Sequence, residues 1–402
     1  MTVSKALILA ASLLFAGTAG AQIDDSRRLL LEAGYEDGLG NPGPSAPYAF
    51  LHLNRPRIAG PGSALRLVIA PVYADAELGL PGLFGTKTDL GLGLSGGGYA
   101  FGHAQVDRGD ERPGESFIGH GGGPSVSLYP RIAKIGPVPV SGVFRMALSY
   151  TDFQRTSRTD ARFQLPPDQW TGSARAGIRA GGVEPGVDKG RALEVSLWTE
   201  KRVRDKPAAF GYDDDRVVSR SVNLVWGRLL ASLPGPGSTR VGAGLNAGVG
   251  GHVGRLSAYR LGGMGTLTSE FPLVLPGYFT QEISARRFVH AWGRTAVPFP
   301  GSDRYFIDLA AAGASVGPIP GTDPGAARHV GFSVGASYAP KLGGLHGQLA
   351  YGYAPTALRG TRRGAHSAAL SVEIDFLAPA ERAPGPVRTQ QQGLRWLFGP
   401  LR

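Results

Sequence analysis

The stretch VPVSGVFRMALSYT, residues 138–151, decides the fold. Val138, Val140, Gly142, Phe144, Met146, Leu148 and Tyr150 share one parity, while Ser141, Arg145, Ser149 and Thr151 share the other. Successive side chains of a strand point to opposite faces, so this segment is a strand with one apolar face and one polar, charged face. Such a strand is satisfied when lipid meets the first face and a wet lumen meets the second; charge buried on the inner face of a soluble sandwich would be costly.

The pattern repeats outward in both directions. Leu90, Leu92 and Leu94 alternate with Gly91, Gly93 and Ser95, and Leu193, Val195, Leu197 and Thr199 alternate with Glu194, Ser196, Trp198 and Glu200. Comparable segments lie at 64–74, 122–133, 172–182, 217–232, 239–252, 283–297, 304–316, 329–339 and 345–353, with weaker ones at 29–36 and 46–54. A closing segment carries Ala368, Leu370, Val372, Ile374 and Phe376 on one face and Glu373 and Asp375 on the other. These lengths suit tilted strands that cross a bilayer, which need about 9 to 11 residues.

The connections form a second signal. Gly- and Pro-rich turns at 135–137, 234–237, 298–303 and 340–344 alternate with longer polar loops at 105–119, 152–169, 205–215, 317–327 and 356–364. Outer-membrane barrels have short periplasmic turns and long external loops. The fold expected is therefore all-β, a transmembrane antiparallel β-barrel of about sixteen strands. Fifteen segments can be counted, and bacterial barrels have even numbers. Either one strand near the N-terminus escapes notice, or residues 29–36 stay outside and fourteen remain.

Composition agrees with an exported barrel. Residues 1–22 read MTVSKALILAASLLFAGTAGAQ, a positive start, a short apolar run and an Ala-Gly-Ala end, as in a secretory signal peptide cut after Ala21. The organisation expected is a signal peptide at 1–21, a short periplasmic segment with a candidate first strand at 22–45, the barrel at 46–376 and a periplasmic tail at 377–402. The tail's Leu394, Trp396, Leu397 and Phe398 suit either docking at the membrane interface or a disordered extension. With no cysteine, the exported chain depends on its backbone ladders and packing. The mean hydropathy of -0.06, with 42% hydrophobic residues, is the intermediate value of a chain in which every second strand residue faces a polar lumen. A net charge of +11 would suggest nucleic acid in a cytoplasmic protein; after export it suits outer-membrane lipids and acidic lipopolysaccharide, an anion-favouring lumen or merely a solvated basic surface.

One long connection departs from the rhythm. From Leu261 the chain reads LGGMGTLTSEFPLVLPGYFTQE before the strand near Ile283. This resembles the sixth external loop of the BamA/TamA-type (bacterial surface antigen) outer-membrane barrel superfamily, which folds back into the lumen and carries a Val/Ile-Arg-Gly-Phe/Tyr tip. Leu275-Pro276-Gly277-Tyr278 stands where that tip belongs, with Pro276 in place of the arginine. The family's Phe-x-Asp-x-Gly strand, whose aspartate holds the arginine, is matched by Phe306-Ile307-Asp308-Leu309-Ala310 except at Ala310. About five strands between the loop and Phe376 also suit a sixteen-stranded barrel of this type. The resemblance implies an inward-folded loop, with Asp308 turned to water or to another base such as Arg286 or Arg287 now that the arginine is missing. Only a short segment separates Gln22 from the first strand, leaving no room for the family's periplasmic substrate-binding repeats.

Chemical motifs are weak. Gly93-Leu94-Ser95-Gly96-Gly97 fits a nucleophile-elbow pattern and His120-Gly121-Gly122-Gly123 an oxyanion segment, but the elbow requires a strand-to-helix turn and the opposite chain order. The eight histidines show no metal-ligand spacing, so no metal or other cofactor is expected. Arg66, Arg145, Arg175, Arg179 and Arg240, with Glu194, Glu200, Glu373 and Asp375, carry the parity of the polar face; they suggest a lumen of paired charges that either rigidifies the barrel or gives a pore an anion preference. The function implied by the resemblance is protein insertion, translocation or outer-membrane assembly, with periplasmic or outer-membrane proteins as partners, no nucleic acid and no enzymatic activity. The alternatives are a passive porin-like channel for small anionic solutes and an outer-membrane lipid hydrolase.

Overall fold

The computed structural model describes residues 27–377 apart from 41–42, 83–84, 136–137, 182–191, 237–238, 265–271, 303 and 340–343. The expected signal peptide and nearly all of the expected tail lie outside the described residues.

Sixteen antiparallel strands close on themselves: β1 Arg28–Leu39, β2 Ala46–Pro56, β3 Ala64–Ala70, β4 Tyr73–Leu80, β5 Thr88–His103, β6 Phe117–Ile135, β7 Val138–Arg155 and β8 Gln169–Gly181 form one half. The other half is β9 Ala192–Arg204, β10 Ser221–Pro234, β11 Arg240–Gly251, β12 Ile283–Pro298, β13 Tyr305–Pro318, β14 Arg328–Tyr338, β15 Leu345–Arg359 and β16 Arg362–Asp375. Each strand pairs with its neighbours in the chain, and β1 pairs with β16 from Leu30↔Asp375 to Leu39↔His366. Closure removes both sheet edges, which hydrocarbon could not otherwise tolerate.

The segment at 29–36 is thus a wall strand, and the barrel begins at Arg28 rather than Ala46. The strand that escaped the sequence count is β4. Only Pro71 and Val72 separate it from β3, and two of its four outward residues are alanines, Ala74 and Ala76, so its apolar face is faint. The long loop expected at 356–364 is instead a tight hairpin: β15 continues to Arg359 and β16 starts at Arg362, around Gly360 at φ +61°.

The parity read from the sequence governs both faces. On β7, Phe144, Met146 and Leu148 are exposed, and on β9 Val195 and Leu197 are exposed while Glu194, Ser196, Trp198, Glu200 and Arg202 are buried. Exposed apolar side chains recur on the same face of most strands, among them Leu94, Ile178, Leu229, Leu245, Val289, Leu309, Val334, Leu349 and Leu370. An apolar surface this continuous is a lipid-facing band, not the scattered apolar exposure of a soluble protein. Tyr305 and Tyr338 lie together near the rim that carries the termini, and Tyr150 and Trp170 toward the rim that carries the long loops, where amphipathic rings suit the lipid–water interface.

The abundant glycines have a packing role inside. Trp198 lies over its cross-strand partner Gly177, Trp292 over Gly244 and Phe288 over Gly248, and a Cβ at any of these glycines would overlap the ring. The bare backbone opposite a large aromatic makes the room it needs to lie flat on the wall.

Candidate functional site: the occluded barrel mouth

The connection between β11 and β12 turns into the barrel. Its two limbs pair with each other, Gly262 N donating to Leu273 O and Leu275 N to Gly263 O, both at 3.0 Å. The tip then packs against the far wall. Gly277, at φ +86°, presses on the backbone of Tyr353 and Ala354 in β15, and Pro276 covers Gly331 of β14. Gly277 N donates to Ser367 Oγ of β16 at 3.0 Å. Leu275, Tyr278 and Phe279 are all buried. The Tyr278 hydroxyl stands 3.0 Å from both His329 Nδ1 and Thr356 Oγ1. Met264 N donates to Glu36 Oε1 of β1 at 2.7 Å, and on the near side His290 Nε2 of β12 lies 2.8 Å from Val274 O.

A buried ion pair holds this tip. Arg359, at the end of β15, donates to Glu282 Oε1 at 2.9 Å and to Gly277 O at 3.2 Å, with its guanidinium 3.9 Å above the Phe279 ring. Glu282 also accepts from Phe279 N at 2.8 Å. The arginine comes from the wall and the carboxylate from the loop, so the latch is charged although the tip itself carries Pro276. Sequence reading missed Arg359 because it fell inside a segment expected to be loop.

Phe306 and Asp308 do not face this tip. Both point into the barrel, but near the rim of the termini: Asp308 pairs with Gly335, four residues along β14 from Gly331, or about 13 Å at ~3.3 Å per residue. Ser337 hydrogen-bonds to Asp308 and the charges of Arg294 and Arg240 face it, while Arg240 also stacks 4.5 Å from the Phe306 ring. Arg286, expected in the lumen as a partner for Asp308, is exposed at a bulge at the loop-rim end of β12, too far along the strand to reach it.

The remaining lumen charges form cross-strand clusters. Arg175 meets Glu200 at 2.7 Å and Arg179 meets Glu194 at 2.8 Å, with Arg202 sharing Glu200. Arg66 reaches Glu77 at 3.0 Å, and Arg145, 3.7 Å from the same carboxylate, donates to Ser125 at 2.8 Å; the Tyr129 hydroxyl donates to Glu77 at 2.6 Å. Glu373 lies 3.1 Å from His346. Ser95 faces the lumen, whereas His120 has the outward parity of β6 and lies across from Asp152, so the two are not brought together.

Above the inward loop, the other long loops close over the mouth. A ribbon formed by 106–107 and 110–111 leaves the β5–β6 connection and crosses to the opposite wall: Arg108 N donates to Asp323 O at 3.0 Å, Asp323 N to Asp107 Oδ1 at 3.1 Å, and Gly109 lies against Leu358 of β15. Phe117, Phe153, Phe163, Phe210, Val218 and Leu256 form a small apolar core that ties three more connections into the same cap.

No family model matches the chain, and no curated protein matches it. Among solved structures it is similar to CdiB from Acinetobacter baumannii (TM-score 0.61, 11% identity, 87% of this chain and 60% of that one). It is similar also to BamA from Haemophilus ducreyi lacking POTRA domains 1–3 (TM-score 0.56, 12% identity, 88% and 70%) and to CdiB from Escherichia coli (TM-score 0.58, 12% identity, 86% and 63%). The chain thus spans less than two thirds of the length of either CdiB. At these identities the likeness is one of fold: the chain is a β-barrel of the kind seen in the outer-membrane proteins CdiB and BamA.

Proposed function

We propose that this chain is an outer-membrane barrel of the BamA/TamA superfamily that acts on polypeptides, in insertion, translocation or membrane assembly, and rests in an occluded state. The observation that carries the reading is the inward loop, whose tip is buried on β14–β16 behind a cap of crossing loops. A passive pore gains nothing from two successive obstructions. A barrel that opens only when engaged by a polypeptide or partner uses them to keep the membrane sealed. The similarity in fold to CdiB and BamA supports the same reading.

Planar-bilayer conductance tests it. The intact protein is expected to show small, infrequent openings; removing residues 262–281 together with the 105–112 ribbon gives steady large ones. Steady large openings in the intact protein, unchanged by the combined deletion, would defeat the occluded reading and leave the passive channel. Polypeptide handling is tested separately, by reconstituting the barrel in liposomes with a chemically unfolded outer-membrane barrel protein as substrate. Protease-protected, folded substrate should accumulate faster than in empty liposomes; equal rates would exclude insertion.

A further inference from the structure

The cap holds a cluster of three arginines, two of which meet no carboxylate directly. Arg260 lies in a short strand, Tyr259–Leu261, that pairs with the start of β12, and it reaches across the mouth to the end of β5, where its Nη2 stands 2.9 Å from His103 Nδ1. The same nitrogen donates to Arg255 O at 3.3 Å. Arg255 donates through Nη2 to Gly321 O at 2.6 Å, while its Nη1 is buried without a partner. Arg216, on a two-stranded ribbon of Ala209–Phe210 and Arg216–Val217 between β9 and β10, completes the group; it is held by Glu115 and Asp215 and stacked 5.0 Å from Phe163.

The way these arginines are partnered differs from most of those on the wall. On the wall, Arg66, Arg175, Arg179 and Arg359 each meet a buried carboxylate directly. Arg260 meets a carbonyl and an imidazole, and the charge that acts on it most is that of Arg255. Around Arg255, Arg216 adds positive charge, opposed by Glu115, Asp215 and Asp107, of which Glu115 and Asp215 already serve Arg216. His103 contributes no negative charge, since its ring nitrogens face Arg260 and the Gln105 amide oxygen. Burial together with neighbouring arginines pulls both Arg255 and Arg260 down to about 10, so each remains a cation at neutral pH. A buried guanidinium nitrogen without an acceptor, as at Arg255 Nη1, is costly, and a bound anion would supply that acceptor.

We infer that Arg255 and Arg260, with His103 and Arg216 beside them, form a binding site for a phosphate group beneath the cap. Two planar guanidiniums with free donors suit a tetrahedral oxyanion, which accepts several charge-assisted hydrogen bonds at once. Both arginines are half-buried. Because the four residues come from the β5 end, the β9–β10 ribbon and the β11–β12 loop, a bound phosphate would cross-link the cap. The phosphate could be the free anion or that of a lipid headgroup presented at the loop rim.

Calorimetric titration of the full chain in neutral detergent with inorganic phosphate at pH 7, at constant ionic strength against chloride, tests the site. One saturable phosphate per chain is expected, with affinity at least tenfold weaker in Arg255→Gln and in Arg260→Gln and unchanged in Arg158→Gln, whose guanidinium is exposed beside Glu111. Arg260→Lys keeps the charge but loses the planar fork, and should lie between. Each variant is first checked for the native gel mobility before heating. Vesicles of phosphorylated and of dephosphorylated lipid A distinguish the sources: competition by the phosphorylated vesicles alone identifies the headgroup, and competition by neither identifies the free anion. Absence of saturable phosphate binding in the wild-type protein, or equal binding by a correctly folded double variant Arg255→Gln/Arg260→Gln, would overturn the inference.

Discussion

Glu282 shows how one side chain ties the inward loop to the pH of its surroundings. Burial raises its carboxyl above the ordinary value of 4.5, an effect larger than the opposing pull of Arg359 and of the Phe279 amide. Between pH 4.5 and that raised value the folded state keeps a proton that the unfolded chain releases, and above it the carboxylate pairs with Arg359 as an ion. The stability linked to this group is fully present below about 4.5 and is lost as pH rises through the raised folded value. Thermal unfolding of the wild-type protein and of Glu282→Gln, followed by heat-dependent gel mobility from pH 4.5 to 8, measures this directly. The wild-type curve should fall relative to the variant as pH rises, and parallel curves would show that Glu282 does not titrate with folding.

At the scale of a strand pair, the glycines facing aromatic rings are the sensitive positions. Val at Gly177 would drive its side chain into Trp198, which is fully buried and also stacks 6.3 Å from Trp226. Overpacking of this kind typically costs about 1–3 kcal/mol. Gly177→Val should lower the unfolding temperature accordingly, and adding Trp198→Leu should recover part of the loss, because the two changes share one contact. Strictly additive losses would mean that the ring does not occupy the glycine's space. The hairpin between β15 and β16 belongs to this scale too. Polar residues from Thr356 to Gly364 read as a loop, yet Thr356 and Arg359 turn inward to hold the loop tip while the strand continues.

The whole barrel is organised by which face meets lipid. Leu197 and Trp198 are neighbours on β9, one 59% exposed on the outer surface and the other 1% exposed in the lumen. An arginine on the lipid face near the bilayer midplane costs about 2–4 kcal/mol. Leu197→Arg should therefore weaken folding into lipid vesicles by that amount, measured by denaturant titration. A change under 1 kcal/mol would place Leu197 outside the hydrocarbon region. Closure has a further consequence at this scale. β6 and β14 stand on opposite sides of a sixteen-stranded ring, so the contacts of Arg108 and Asp107 with Asp323 span the mouth.

Most of the wall was legible because strand parity is a local property: each of Val138 to Thr151 or Leu193 to Glu200 declares its face by its own chemistry and its place in a two-residue repeat. β4 was lost where that repeat weakened to alanines beside a two-residue turn, and the segment at 29–36 could be placed only once its partner β16, more than three hundred residues away, was known. The long connection beginning at Leu261 and its Gly277-Tyr278 tip also stood out locally. Its anchors did not: Glu36, His329, Thr356, Arg359 and Ser367 are scattered along β1, β14, β15 and β16, and only closure of the ring brings them to one side of the lumen. The same reason separates Asp308 from the loop it was expected to face, since position along a tilted strand is fixed by the register of all the strands between. The sequence by itself determined a membrane barrel with one exceptional loop. The tertiary structure alone decided where that loop docks and that arginines gather beneath the cap, because both depend on contacts across the lumen that no local pattern encodes.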